Sequence, residues 1–154
     1  MLQVPMSTPT RLPLVSPMVL AGAGLIIAGT FVPVNGGGDF GYRYAIFDRS
    51  LGQPTLLLVA VEPLAVAVAA SLSAVVIARR APALAAGFMI ALGFQTLVFF
   101  LVYVAGAAFG DPAYDSFEPG GVLGALGAAL VLTAGVSVVV RRQSNLASDE
   151  AYSP

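Results

Sequence analysis

Glu62 is the only ionisable side chain well inside an apolar stretch of this 154-residue chain. An acid at such a place is costly unless it is protonated, paired or watered, so it is by default a functional-site hypothesis. It lies about 16 residues, roughly 24 Å of helix, from the Arg79-Arg80 end of its stretch. Pro63 follows directly and removes a backbone hydrogen bond one turn back, which predicts a kink. Counted in the same way, Gln95 and Thr96 lie about 20 Å from that level in the next stretch, and Thr30 about 24 Å from it in the first. Tyr103 is higher still. The expected site is a polar cluster of Glu62, Gln95, Thr30 and Tyr103, with Arg43 or Arg49 able to dip in from the preceding loop. Three chemistries compete for it. Glu62 binds a proton or cation in a small transporter, or it anchors the loop by pairing with Arg43 or Arg49, or it meets a polar group on a partner's helix.

The absent residue types narrow the chemistry further. The chain has no Cys, His or Trp. That excludes disulfides, thiol redox work, thiolate metal sites and His-ligated haem, and it removes the commonest metal ligand and general base. No metal site, cofactor or paired acid-base constellation is expected, and the chain reads as a non-enzyme. A net charge of −1 without a basic cluster argues against nucleic acid. Ala21-Gly22-Ala23-Gly24 does not match a dinucleotide-binding fingerprint either.

The elements that must position Glu62 follow from composition. The chain is 58% hydrophobic and 10% charged, against roughly 25% charged for a soluble domain. Four apolar stretches, about 14–34, 55–78, 83–109 and 121–140, each approach the ~20 residues that cross a hydrocarbon core. Period-two alternation is absent, which argues against an outer-membrane barrel. Pro54, Pro82 and Pro119 precede the last three stretches, and Pro13 and Pro17 open the first, where a missing amide costs least. The expected fold is all-α: an integral membrane four-helix transmembrane bundle spanning 14–142, with tails 1–13 and 143–154. Arg11, Arg79, Arg80, Arg141 and Arg142 fall on one side, against Arg43 and Arg49 on the other. The positive-inside rule then places both tails in the cytoplasm of a bacterial plasma membrane. Arg11 and the short apolar run to Ala23 could pass for a signal peptide, but the run continues to Val34 and reads as a span.

Most of the aromatics lie at or beyond the outer half of the bundle and five of the acids fall in the outer loops, 35–54 and 110–120, so a small loop cap is expected over the bundle. Gly36-Gly37-Gly38 reads as a flexible exit, and the segment from Tyr42 to Phe47 as a short strand or interfacial turn. Tyr42, Arg43, Tyr44, Phe47 and Arg49 form a candidate partner-binding or pairing surface, with an aromatic segment lying at the headgroups as the plainer alternative. SLSAVVIARR (71–80) and TAGVSVVVRR (133–142) align loosely, as do GDFGYRY (38–44) and GDPAY (110–114). A parallel duplication of two hairpins would produce this, and so would Ala/Val-rich composition alone. The tails are polar and read as disordered.

Small residues recur at four-residue spacing: Gly120, Gly124 and Ala128 in the last stretch, Ala83, Gly87 and Ala91 in the third, Gly24 and Ala28 in the first. Such stripes let helix backbones approach closely, within one bundle or between membrane proteins.

Arginine without lysine, with abundant Ala, Gly and Val, gives the chain a high-GC bacterial character. In that setting its plan of span, GGGDFGYRYAIFD, span resembles the small four-helix membrane proteins, many of unknown function, of actinobacteria. The resemblance covers the plan of 14–142 and carries no diagnostic motif or site residue. Small multidrug transporters place their key acid in the first span, where this chain has none. Claudin-like proteins carry a Trp and paired Cys that are missing here. The expected function is an accessory, assembly or stabilising subunit of a larger membrane complex. Its partners would be the lipid bilayer and other integral membrane proteins or copies of itself. The alternative is a proton- or cation-coupled transporter or channel-like oligomer built around Glu62.

Overall fold

A computed structural model of the protein describes residues 15–37, 42–45, 54–109, 116–117 and 119–151. Four helical rods dominate it. The first is α1 (Val15–Phe31), 17 residues and about 26 Å long. The second is α2 (Pro54–Leu72), which continues through a π-helical turn (Ser73–Ile77) into α3 (Ala78–Arg80). The third is α4 (Pro82–Ala108), 27 residues, and the fourth α5 (Pro119–Ala151), 33 residues.

The breaks follow local chemistry. Pro82 starts α4, and a residue before proline is driven out of the α region. Ala81 accordingly sits at φ −141°, ψ 72°, and this single residue turns the chain. Its N–H still bonds to the Ile77 carbonyl at 2.8 Å, and its own carbonyl accepts from the Ala85 N–H at 3.0 Å. In the π turn the Ala78 N–H reaches the Ser73 carbonyl, five residues back, while Ser73 and Ala74 stay buried.

The helix at the carboxyl end departs from the expected disordered tail. α5 runs on past Arg142 to Ala151. No Gly or Pro lies between Val136 and Ala151, and Arg, Gln, Leu, Ala and Glu are good helix formers. Ser144 donates to the Val140 carbonyl at 3.1 Å and Ser148 to the Ser144 carbonyl at 2.9 Å, so their hydroxyls bond within the helix.

Packing centres on α5, which lies along both α1 and α4. Glycines set the approach. A Cβ on Gly29 would stand 2.6 Å from the Gly124 backbone nitrogen, one on Gly22 2.7 Å from the Gly127 carbonyl, and one on Gly93 2.7 Å from the Leu132 nitrogen. Gly124 leaves room for the buried ring of Phe100, which meets Phe99 edge-on at 5.2 Å. Ile26, Met89, Val19 and Val131 complete a core of largely small and branched side chains.

A three-stranded antiparallel sheet ordered β2-β1-β3 joins the two segments at one end of the bundle: β1 (Pro33–Gly37), β2 (Tyr42–Ala45) and β3 (Ser116–Phe117). Gly36 pairs with Arg43 on one side and Ser116 on the other, and Asn35 with Tyr44 and Phe117. Gly36 and Gly37, read from sequence as a flexible exit, are therefore part of the central strand. Gly36 is paired on both sides and Gly37 with Tyr42, which holds an otherwise permissive segment.

Three helices are long and apolar enough to cross a membrane, within Val61–Arg80, Pro82–Val102 and Pro119–Ser148; α1 is a shorter apolar helix. Their outward faces carry large apolar side chains such as Val68, Leu72, Leu84, Phe94 and Val140. Contiguous exposed apolar surface of this kind is abnormal for a protein in water and normal for one in lipid.

Candidate functional site

Glu62 stands on α2 at the edge of its buried stripe, which is built from Pro63, Val66, Ala67 and Ala70. Pro63 lies inside the helix and its ring is packed inward, so the carboxyl group beside it turns toward the seam with α4. There Gln95 Nε2 donates to Glu62 Oε1 at 2.6 Å. Two helices distant by 33 residues in sequence are thus joined by one polar contact. Both side chains are exposed.

The exposure matters more than the bond. Thr96, next to Gln95, is 2% exposed and points into the bundle, so Gln95 itself is on the outward side of α4. The outward side of the same helix carries Ala83, Gly87 and Ala91, all exposed, and a Cβ on Gly87 would meet nothing within 4 Å. The polar pair and the small-residue stripe therefore share one surface, with Ala91 one turn from Gln95.

The other residues singled out from sequence are placed differently. Thr30 is fully buried, and its hydroxyl donates to the Ile26 carbonyl at 2.8 Å within its own helix. It does not join Glu62. A threonine that can back-bond to the preceding turn needs no interhelical partner. Tyr103 lies on α4 about two turns beyond Gln95, and its side chain lies outside the described residues. Tyr42, Arg43 and Tyr44 form β2; Phe47 and Arg49 fall outside the described residues.

The small-residue stripes divide. Gly120, Gly124 and Ala128 are absorbed inside the bundle, against Pro33, Phe100 and the α1 face. Gly24, like Gly87, faces open space. Among the described residues no group of three or more His, Cys, Asp or Glu side chains could hold a metal ion.

Two features had no sequence signal: β3, a two-residue strand, and the π turn. The outward aim of the Glu62–Gln95 pair did have one. Val66, Ala67 and Ala70 lie on the inner face of α2, while bulky Val61, Val68 and Leu72 lie on the outer, and the acid falls between them.

The chain matches no family model, no curated protein and no solved structure.

Proposed function

We propose that this protein is a multi-pass subunit of the bacterial plasma membrane, crossing it four times with both tails in the cytoplasm. In this reading it acts without chemistry of its own, as an accessory or stabilising component docked to another integral membrane protein. The observation that carries the reading is the Glu62–Gln95 pair, hydrogen-bonded across α2 and α4 yet exposed on the outer surface of the bundle. Polar groups facing hydrocarbon are costly, and interhelical hydrogen bonds between membrane helices relieve that cost. Ala83, Gly87 and Ala91 beside them present a smooth groove where a partner helix approaches closely. Crossing by α1 is consistent with its 17 residues, at the short end of the ~17–25 that span a bilayer.

The test is affinity purification of the tagged protein in mild detergent or nanodiscs, with mass spectrometry and native sizing. A stoichiometric membrane partner is expected, with recovery reduced by Gly87→Leu or Ala91→Leu. Arrival alone as a discrete oligomer would sink the accessory reading. Glu62 in its outward position would then favour the transporter reading, tested by ion-coupled flux in Glu62→Gln vesicles.

A further inference from the structure

We infer that the four arginines at one end of the bundle form a binding surface for the phosphates of anionic phospholipid headgroups. Arg79 and Arg80 close α3, Arg141 and Arg142 lie on α5, and all four are exposed. The register of α4 against α5 brings the two pairs to one level. Gly93 abuts Leu132, and Gly135 abuts Ala86 and Ile90. Two turns further along these antiparallel helices, the start of α4 stands beside Arg141 and Arg142. Only Ala81 separates α3 from α4, so Arg79 and Arg80 flank the same helix start from the α2 side.

The level is that of a membrane boundary. Val139 and Val140, immediately before Arg141, are outward apolar residues, as are Val75 and Val76 one turn before Arg79. The guanidinium groups thus sit where the lipid-facing surface ends and headgroup phosphates begin. Each offers a planar fork of N–H donors that binds phosphate oxygens in pairs. Among the described residues, Glu62 is the carboxylate within a span and lies far along α2 from the cluster. Asp149 and Glu150 follow about two turns further out on α5. Juxtamembrane clusters of this size attract anionic lipid, and the rigid helix ends here hold the two arginine pairs at one level, on either side of the start of α4. The inference is independent of the accessory role, since it needs only the bundle and a lipid boundary.

The test uses the purified full-length protein in neutral detergent, with native mass spectrometry of dioleoyl-phosphatidylglycerol and dioleoyl-phosphatidylcholine adducts. Phosphatidylglycerol is expected to bind about tenfold more tightly, a preference that should largely vanish in the R79Q/R80Q/R141Q/R142Q variant. If that variant does not fold, R79Q/R80Q and R141Q/R142Q separately should each lose part of the preference. Equal binding of the two lipids to the unmodified protein, or a preference unchanged in the variants, overturns the site. Displacement of phosphatidylglycerol by millimolar glycerol 3-phosphate also overturns it, because the ligand would then be a soluble phosphate.

Discussion

At the scale of single residues, the Glu62–Gln95 hydrogen bond makes the two partners unequal under substitution. Gln95→Leu removes the donor and leaves the Glu62 oxygen unsatisfied on the outer surface of α2. Interhelical polar contacts in membrane proteins average about 0.6 kcal/mol and reach about 1.7, so a loss in that range is expected from unfolding in detergent. Glu62→Gln keeps an acceptor oxygen and should stay within about 0.5 kcal/mol of the parent protein, since the contact can persist. Equal losses for both would mean that the bond contributes nothing particular. The glycines give a second contrast of sign. Gly29→Ala drives a methyl group to 2.6 Å from the Gly124 backbone, and overpacking of this kind costs about 1–3 kcal/mol. Gly87→Ala meets nothing within 4 Å and should stabilise by up to about 1 kcal/mol through helix propensity. The sequence already marked Glu62 as exceptional, because one acid in an apolar stretch is conspicuous. It could not separate Gly124, packed against Phe100, from Gly87, since the four-residue spacing of small side chains is the same whether a helix neighbour or lipid lies beyond it.

At the scale of elements, the apolar stretches and their opening prolines located the helices, and Pro82 at the start of α4 shows why. A proline fixes the first turn and forbids the residue before it from continuing the preceding helix. The carboxyl end was less legible. Arg141, Arg142 and the polar residues after them signal the end of a lipid-facing surface, and from sequence that is indistinguishable from the end of a helix. The two need not coincide, because lipid selects for polarity whereas backbone hydrogen bonding selects against Gly and Pro. Residues 143–148 are exposed yet helical, held by intrahelical bonds rather than by packing. Ser144→Pro should therefore unwind the end of α5, since proline in a helix interior costs about 3 kcal/mol. Circular dichroism should lose about one to two turns of helix, and amide exchange should quicken only beyond about residue 140. An unchanged helical signal would show that the extension is not helical in the membrane-embedded protein. The sheet was legible only by half. Tyr42 to Ala45 alternates enough to suggest a strand, but Ser116–Phe117 is too short to carry a period.

At the scale of the whole molecule, connectivity and charge must agree. The sheet β2-β1-β3 ties the segment after α1 to the segment before α5 at one end of the bundle, while Arg79, Arg80, Arg141 and Arg142 gather at the other. A bundle with that polarity has one orientation in which its arginines obey the positive-inside rule, the one with the sheet outside. The absence of cysteine throughout the chain allows a direct measurement. Ser144→Cys, on the exposed extension of α5, should react with a membrane-impermeant maleimide only after the cells are opened. Tyr44→Cys in β2 should react in intact spheroplasts, or at least after mild loosening of the sheet. Reversed labelling of the two sites would mean that the arginine pairs do not set the orientation. Labelling of both from outside would mean an even number of crossings between positions 44 and 144. Because the α2 segment, α4 and α5 are each long and apolar enough to cross, an even count requires one of them to lie outside the bilayer. The same experiment thus tests the orientation and the three long crossings together, and it does so without assuming any partner.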